Sequence, residues 1–202
     1  MTPEQRFWHW FSKHEAKLFD FERDQEKIFN RASTEMQKVH PDLTFEFGPK
    51  TNEQASREFV ISAAGIKTAF PAVVALRNAA PVLERWTITA FRPRRWPLNS
   101  VEFRGKCIDP KDVLFSLLNN GTIPGIFLYL PDYVEGDTAF GQIGYLLLDD
   151  ALGEFDVETN VGLIKMLSTD APLQHPRSPL KELQAQFDSL QVQLQRTSSR
   201  PS

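Results

Sequence analysis

VLFSLLNNGTIPGIFLYL, residues 113–130, is the stretch on which the reading of the fold turns. Two apolar runs, 113–118 and 126–130, flank Asn119-Asn120-Gly121. Asn and Gly accept the positive φ angles of tight turns, so the two runs read as an antiparallel hairpin. Just upstream, 101–103 and 106–108 flank Arg104-Gly105 as a smaller hairpin. WTITAF, 86–91, is the strongest strand signal in the chain, because Trp, Thr, Ile and Phe suit a pleated surface. Two further alternating strands, 43–48 and 57–63, are joined by a polar loop at 49–56.

Helical patterns stand between and around these strands. One spans about 68–80, with Pro71 in its first turn and Pro81 closing it. Asp137 caps another running to about 152, with Phe140, Ile143, Leu147 and Ala151 on one face and Gly153 as its stop. Gly141 and Gly144 inside it each cost about 1 kcal/mol relative to Ala, so a close approach of helix to sheet, or a ligand lying there, is expected. Residues 161–167 read as a buried strand. Hairpins with interspersed helices indicate an α+β fold, a mostly antiparallel sheet with helices packed on one face. A long helix over 3–39 opens the chain and an amphipathic helix over 180–196 closes it. A single domain is expected over 1–167, followed by a Pro-rich linker or surface crossing, 168–179, and a disordered tail, 197–202.

The opening helix contains neither Gly nor Pro between Glu4 and His40, and seven of ten positions on its 4,3 stripe from Phe7 to Val39 are apolar. A straight helix over 4–38 would be about 52 Å long, against roughly 43 Å for a compact body of this size. It must therefore bend, break or project. Phe7-Trp8-His9-Trp10-Phe11 puts aromatics around the helix and so requires burial, in the protein's own core or against a second copy.

The 202 residues are 41% apolar and 24% charged, an ordinary globular composition. One cysteine excludes an internal disulfide, and Cys107, in a strand, is expected to be a buried, inert thiol. No apolar run spans a membrane, and MTPEQRFWHWF is no secretion signal, so a cytoplasmic location is expected. His9, His14, His40 and His175 lie outside metal-ligand spacing, with His14 expected as a hydrogen-bonded core histidine. No phosphate-cradling, dinucleotide or nucleophile-elbow motif occurs, and neither cofactor nor metal is expected.

Charge is segregated. From 77 to 111 eight basic residues face three acidic ones, whereas 112–164 holds nine acidic residues and no Lys or Arg. Asp149 and Asp150, at the end of a helix, and Glu154, Asp156 and Glu158, in an extended piece, are candidates for docking a basic protein partner, or a divalent cation although their spacing matches no known loop, if that stretch does not lie against the basic one. Arg92, Arg94, Arg95 and Trp96 are candidates for holding an anion. The same arginines can instead pair with Glu84, Glu102 or the acidic half. Three arginines fall short of the six to ten phosphate contacts of a strong nucleic-acid footprint.

FWHWF (7–11), ERWTITAFRPRR (84–95) and LLLDDALGEFDVETNVG (146–162) together resemble a set of uncharacterised bacterial proteins of about 200 residues. The resemblance implies a bacterial cytoplasmic protein with one α+β domain, and it carries no catalytic residues. Three readings follow. The first is a non-catalytic, immunity- or adaptor-like interaction module with an acidic docking surface. The second is a small-ligand protein or enzyme with an arginine cluster clamping an anion. The third is a homodimer built through the N-terminal helix.

Overall fold

A computed structural model describes residues 1–51 and 56–198. Its contacts gather into two compact units, Met1–Arg92 and Pro93–Ser202, each with its own hydrophobic core. The division falls in the basic run, whereas the sequence pattern showed no break before residue 168.

The first unit opens with α1 (Pro3–Phe19). Thr2 caps it reciprocally with Gln5: the Thr2 hydroxyl accepts from the Gln5 amide, and Gln5 Oε1 accepts from the Thr2 amide. The expected 3–39 helix is broken. A 3-10 turn at Phe21–Arg23 separates α1 from α2 (Gln25–Gln37). No Gly or Pro makes this break; long-range partners do. Lys50 holds Asp20 at 2.6 Å, Arg57 holds Glu22 at 2.6 Å, and the Phe21 ring stacks on Phe47. These contacts overcome the helical propensity of a turn whose own backbone bonds are few.

Strands β1 (Thr44–Phe47) and β2 (Arg57–Ser62) form the expected antiparallel hairpin. From β2 the chain crosses through α3 (Phe70–Asn78) to β3 (Trp86–Ala90), which pairs parallel to β2, giving the order β1-β2-β3. All three helices contribute to one core with Phe59 and Ile61: Phe7, Trp8 and Phe11 from α1, Ala32 and Met36 from α2, Val73 and Leu76 from α3. The Trp8 indole donates to the Leu76 carbonyl at 2.7 Å, which sets α1 beside α3. The aromatic cluster at 7–11 is thus buried on one side only, since His9 is exposed and Trp10 half-buried.

The second unit begins with the small hairpin β4 (Val101–Phe103) and β5 (Lys106–Ile108), on which Cys107 is exposed, contrary to expectation. In a two-stranded ribbon alternate residues face outward, and the buried neighbour Ile108 takes the inner side. The 113–130 hairpin is present as β6 (Leu114–Leu118) and β7 (Gly125–Leu130). Next come α4 (Thr138–Leu152) and α5 (Glu154–Asn160), and then β8 (Leu163–Ser168), parallel to β7. Asp137 caps α4 through the Ala139 amide, as its position indicated. The 154–158 segment, read as extended, is helical. Gly153, at φ 83°, ends α4 and starts α5 at once, and two acids in the first turn of α5 suit the positive end of its dipole.

The 168–179 segment is a pinned crossing. The Arg177 guanidinium donates to the carbonyls of Thr169, Ala171 and Pro172 and stacks 3.9 Å from the Tyr129 ring centroid. The crossing ends in β9 (Ser178–Pro179), which pairs with β6 to complete the order β8-β7-β6-β9. The last helix, α6 (Leu183–Ser198), packs Leu183 and Phe187 into the core with Phe140, Ile143 and Leu147 of α4. It runs past the expected end at residue 196, and 199–202 lie outside the described residues. Among the described residues four strand pairings are antiparallel and two parallel, so the fold is α+β with mostly antiparallel sheets. Among the described residues no helix is long and apolar enough to cross a membrane.

Candidate functional site

The charged runs that the sequence singles out are drawn into the fold. In the second unit, Arg94 is a hub. Its Nε donates to the Leu152 carbonyl at the end of α4, one terminal nitrogen grips both oxygens of Asp188 on α6 at 2.8 and 2.9 Å, and the other reaches Asp156 on α5 at 2.8 Å. The Arg95 amide donates to the Asp150 carbonyl at 2.8 Å, with its side chain 4.0 Å from the Asp150 carboxylate. Pairing with the acidic half is therefore observed for Arg94 and Arg95. In the first unit Arg92 follows Phe91, whose φ of 64° lies in the left-handed region, and it pairs with Glu46 of β1. Trp96 is exposed.

Lysine carries a point charge with no fork, so it cannot hold three acceptors on three helices at once. Arg94→Lys should cost about 1.5 kcal/mol. Backbone amides of α6 should exchange faster, as hydrogen-exchange mass spectrometry reads. Unchanged α6 exchange would show that the hub does not hold that helix.

The five acidic docking candidates are recessed. Asp149 is 6% and Glu154 0% exposed, Asp150 and Glu158 are half-buried, and Asp156 belongs to the Arg94 hub. A docking face needs carboxylates that a partner can reach, and two of these five are shut away.

A different place in the first unit is open and concave. The break at Phe21–Arg23 lets α1 and α2 pack together and leave a cleft of about 410 Å³ between them. Trp10, His14, Leu18 and Ile28 form its apolar and aromatic wall. Its rim carries Lys17, Arg23, Lys27 and Arg31 against Asp20 and Asp24. Asp20 is held by Lys50 and Arg23, and Asp24 by Lys27 at 3.8 Å. Lys17 and Arg31 are exposed and make no ion pair among the described residues.

Within the cleft, the His14 and Trp10 rings stack with centroids 5.2 Å apart and planes 28° from parallel. His14 Nδ1 lies 2.8 Å from the Trp10 carbonyl. A carbonyl only accepts, so Nδ1 carries the proton and donates. His14 is hydrogen-bonded, as its position on the stripe led one to expect, but it is half-buried on the cleft wall instead of in the core. No cluster of three or more His, Cys, Asp or Glu among the described residues is arranged to hold a metal ion.

Comparison with models of protein families, with curated proteins and with solved structures finds no match to this chain.

Proposed function

We infer that this chain is a non-catalytic binding protein whose recognition site is the cleft between α1 and α2, taking a small apolar molecule that carries a negative charge. One observation carries the reading: a volume of about 410 Å³ with an aromatic wall stands under a rim of four cations and two acids. Small-molecule sites run from roughly 300 to 1,000 Å³, apolar within and with few polar groups. A local cationic surplus draws an anion toward the opening. The anion clamp expected at Arg92, Arg94 and Arg95 moves to Lys17 and Arg31, because Arg92 and Arg94 already hold carboxylates. The acidic docking surface has less support, with Asp149 and Glu154 inaccessible. A homodimer through α1 would need a face that Phe59 and Leu76 already cover.

The test is calorimetric titration with 1-naphthoate and its neutral analogue 1-naphthylmethanol. The anion should bind more tightly than the alcohol. Reversing the two exposed cations, Lys17→Glu with Arg31→Glu, should weaken naphthoate by about tenfold or more, equivalent to about 1.4 kcal/mol, and leave the alcohol unchanged. No saturable naphthoate binding, or equal affinity in the charge-reversed protein, removes the reading.

A further inference from the structure

We propose that the cleft takes an aromatic carboxylate and binds a proton with it, His14 Nε2 being the atom that meets the carboxylate. This rests on the reading of the α1–α2 cleft as the binding site and specifies its ligand. Three features of one side chain lead there. The first is the ring row Phe7, Trp10, His14, spaced three and four residues apart on α1, with Trp10 5.8 Å from Phe7 and 5.2 Å from His14. Among the described residues no further ring stacks on His14, so its outer face continues the row toward the cleft and suits a flat aromatic group.

The second is the fixed tautomer. With Nδ1–H given to the Trp10 carbonyl, a neutral imidazole leaves Nε2 as a bare acceptor. A carboxylate is acceptor-only as well, so the two repel until Nε2 gains a proton. Once protonated, Nε2–H donates a charge-assisted hydrogen bond to the anion. The proton comes from solvent, the carboxylate stays ionised, and no bond other than N–H is made or broken.

The third is the surrounding charge. The groups around the cleft are Lys17 on α1, Asp20, Arg23 and Asp24 at the break, and Lys27 and Arg31 on α2. Both acids already face cations, Asp20 with Lys50 and Arg23, Asp24 with Lys27. Neither is free to serve as the counterion of an imidazolium. The anion itself fills that role, so ligand and proton bind with mutual support, and by linkage the affinity follows pH.

Calorimetry with 1-naphthoate between pH 6 and 8, on the full chain and in two buffers of different ionisation enthalpy, reads the proton directly. The carboxylate of the probe is ionised throughout this range. Net proton uptake per site is expected, with affinity several-fold weaker at pH 8 than at pH 6. His14→Gln should still bind naphthoate, with no uptake and a flat pH profile, and 1-naphthylmethanol should show no uptake on either protein. Binding without proton exchange, or uptake that survives His14→Gln, overturns the proton-linked contact while leaving the cleft reading in place. No binding at any pH overturns both.

Discussion

Phe59→Ala is expected to destabilise the protein by about 4 kcal/mol. Phe59 sits at the centre of β2, itself the central strand of its sheet, and is fully buried. Six aromatic rings surround it: Phe7, Trp8 and Phe11 from α1, Phe45 and Phe47 from β1, and Trp86 from β3, with centroids between 5.1 and 6.4 Å away. Removing the ring leaves a cavity walled by rigid planar groups on strands and a helix that are otherwise well held. Flat rings refill such a space poorly, so the loss should lie near the upper part of the range for Phe→Ala. Phe59→Leu keeps most of the volume but loses the edge-to-face and stacked pairs, and should cost about 1.5 kcal/mol. Denaturant unfolding followed by tryptophan fluorescence measures both, since Trp8 and Trp86 border the site. A Phe59→Ala loss under about 1.5 kcal/mol would mean that the cluster collapses around the gap and is softer than its geometry implies.

What the sequence made legible follows the range of the interactions involved. Turn and cap chemistry is local, so Asn119-Asn120-Gly121 placed the β6–β7 hairpin and Asp137 the start of α4. Gly144 was also readable as a point of close approach: a Cβ there would run into the Met166 side chain of β8. Gly141 was not, because nothing lies within 4 Å of its would-be Cβ, so the same reasoning gave it a packing role it does not have. A break was one of three outcomes that the helix's length left open, and its position between α1 and α2 escaped for the opposite cause. Its determinants are Lys50, Phe47 and Arg57, about 30 residues away from the residues they hold, and no propensity scale carries that information. The cleft depends on that break. His14 and Leu18 on one helix and Ile28 on the next look like parts of one stripe until the chain turns between them. The charge runs were visible, but their use was not. Whether a carboxylate is presented or recessed depends on the helix face it occupies, and an extended 154–158 segment, as its sequence suggests, sets a different face outward from that of α5.

Arg57→Ala should cost about 3 kcal/mol, and the stability of the pair it belongs to should depend on pH. The Arg57 side chain is wholly buried at the start of β2. One terminal nitrogen donates to the Gly48 carbonyl at 2.9 Å, the other to Glu22 at 2.6 Å, and the guanidinium lies 4.5 Å from the Phe21 ring centroid. Truncation strands the Gly48 carbonyl, empties the space along the stem, and releases the turn that separates α1 from α2. Arg57→Met keeps the stem in place and should recover about half of the loss. Glu22 is half-exposed, so water screens its share, and Glu22→Gln should be milder, near 1 kcal/mol. The hydrogen bond from Arg57 holds the Glu22 carboxyl below its ordinary value. The folded value is the lower one, so the contribution is fully present above the unfolded carboxylate's pKa of about 4.3 and is lost as pH falls through the folded value. Asp20, Asp109 and Asp137 are lowered too and also weaken the fold in acid. The difference between wild type and Glu22→Gln isolates the pair. In denaturant unfolding from pH 7 to 3 the two proteins should converge as the pH drops. A constant gap across that range would mean that Gly48 and Phe21, and not the Glu22 charge, are what Arg57 needs to remain buried.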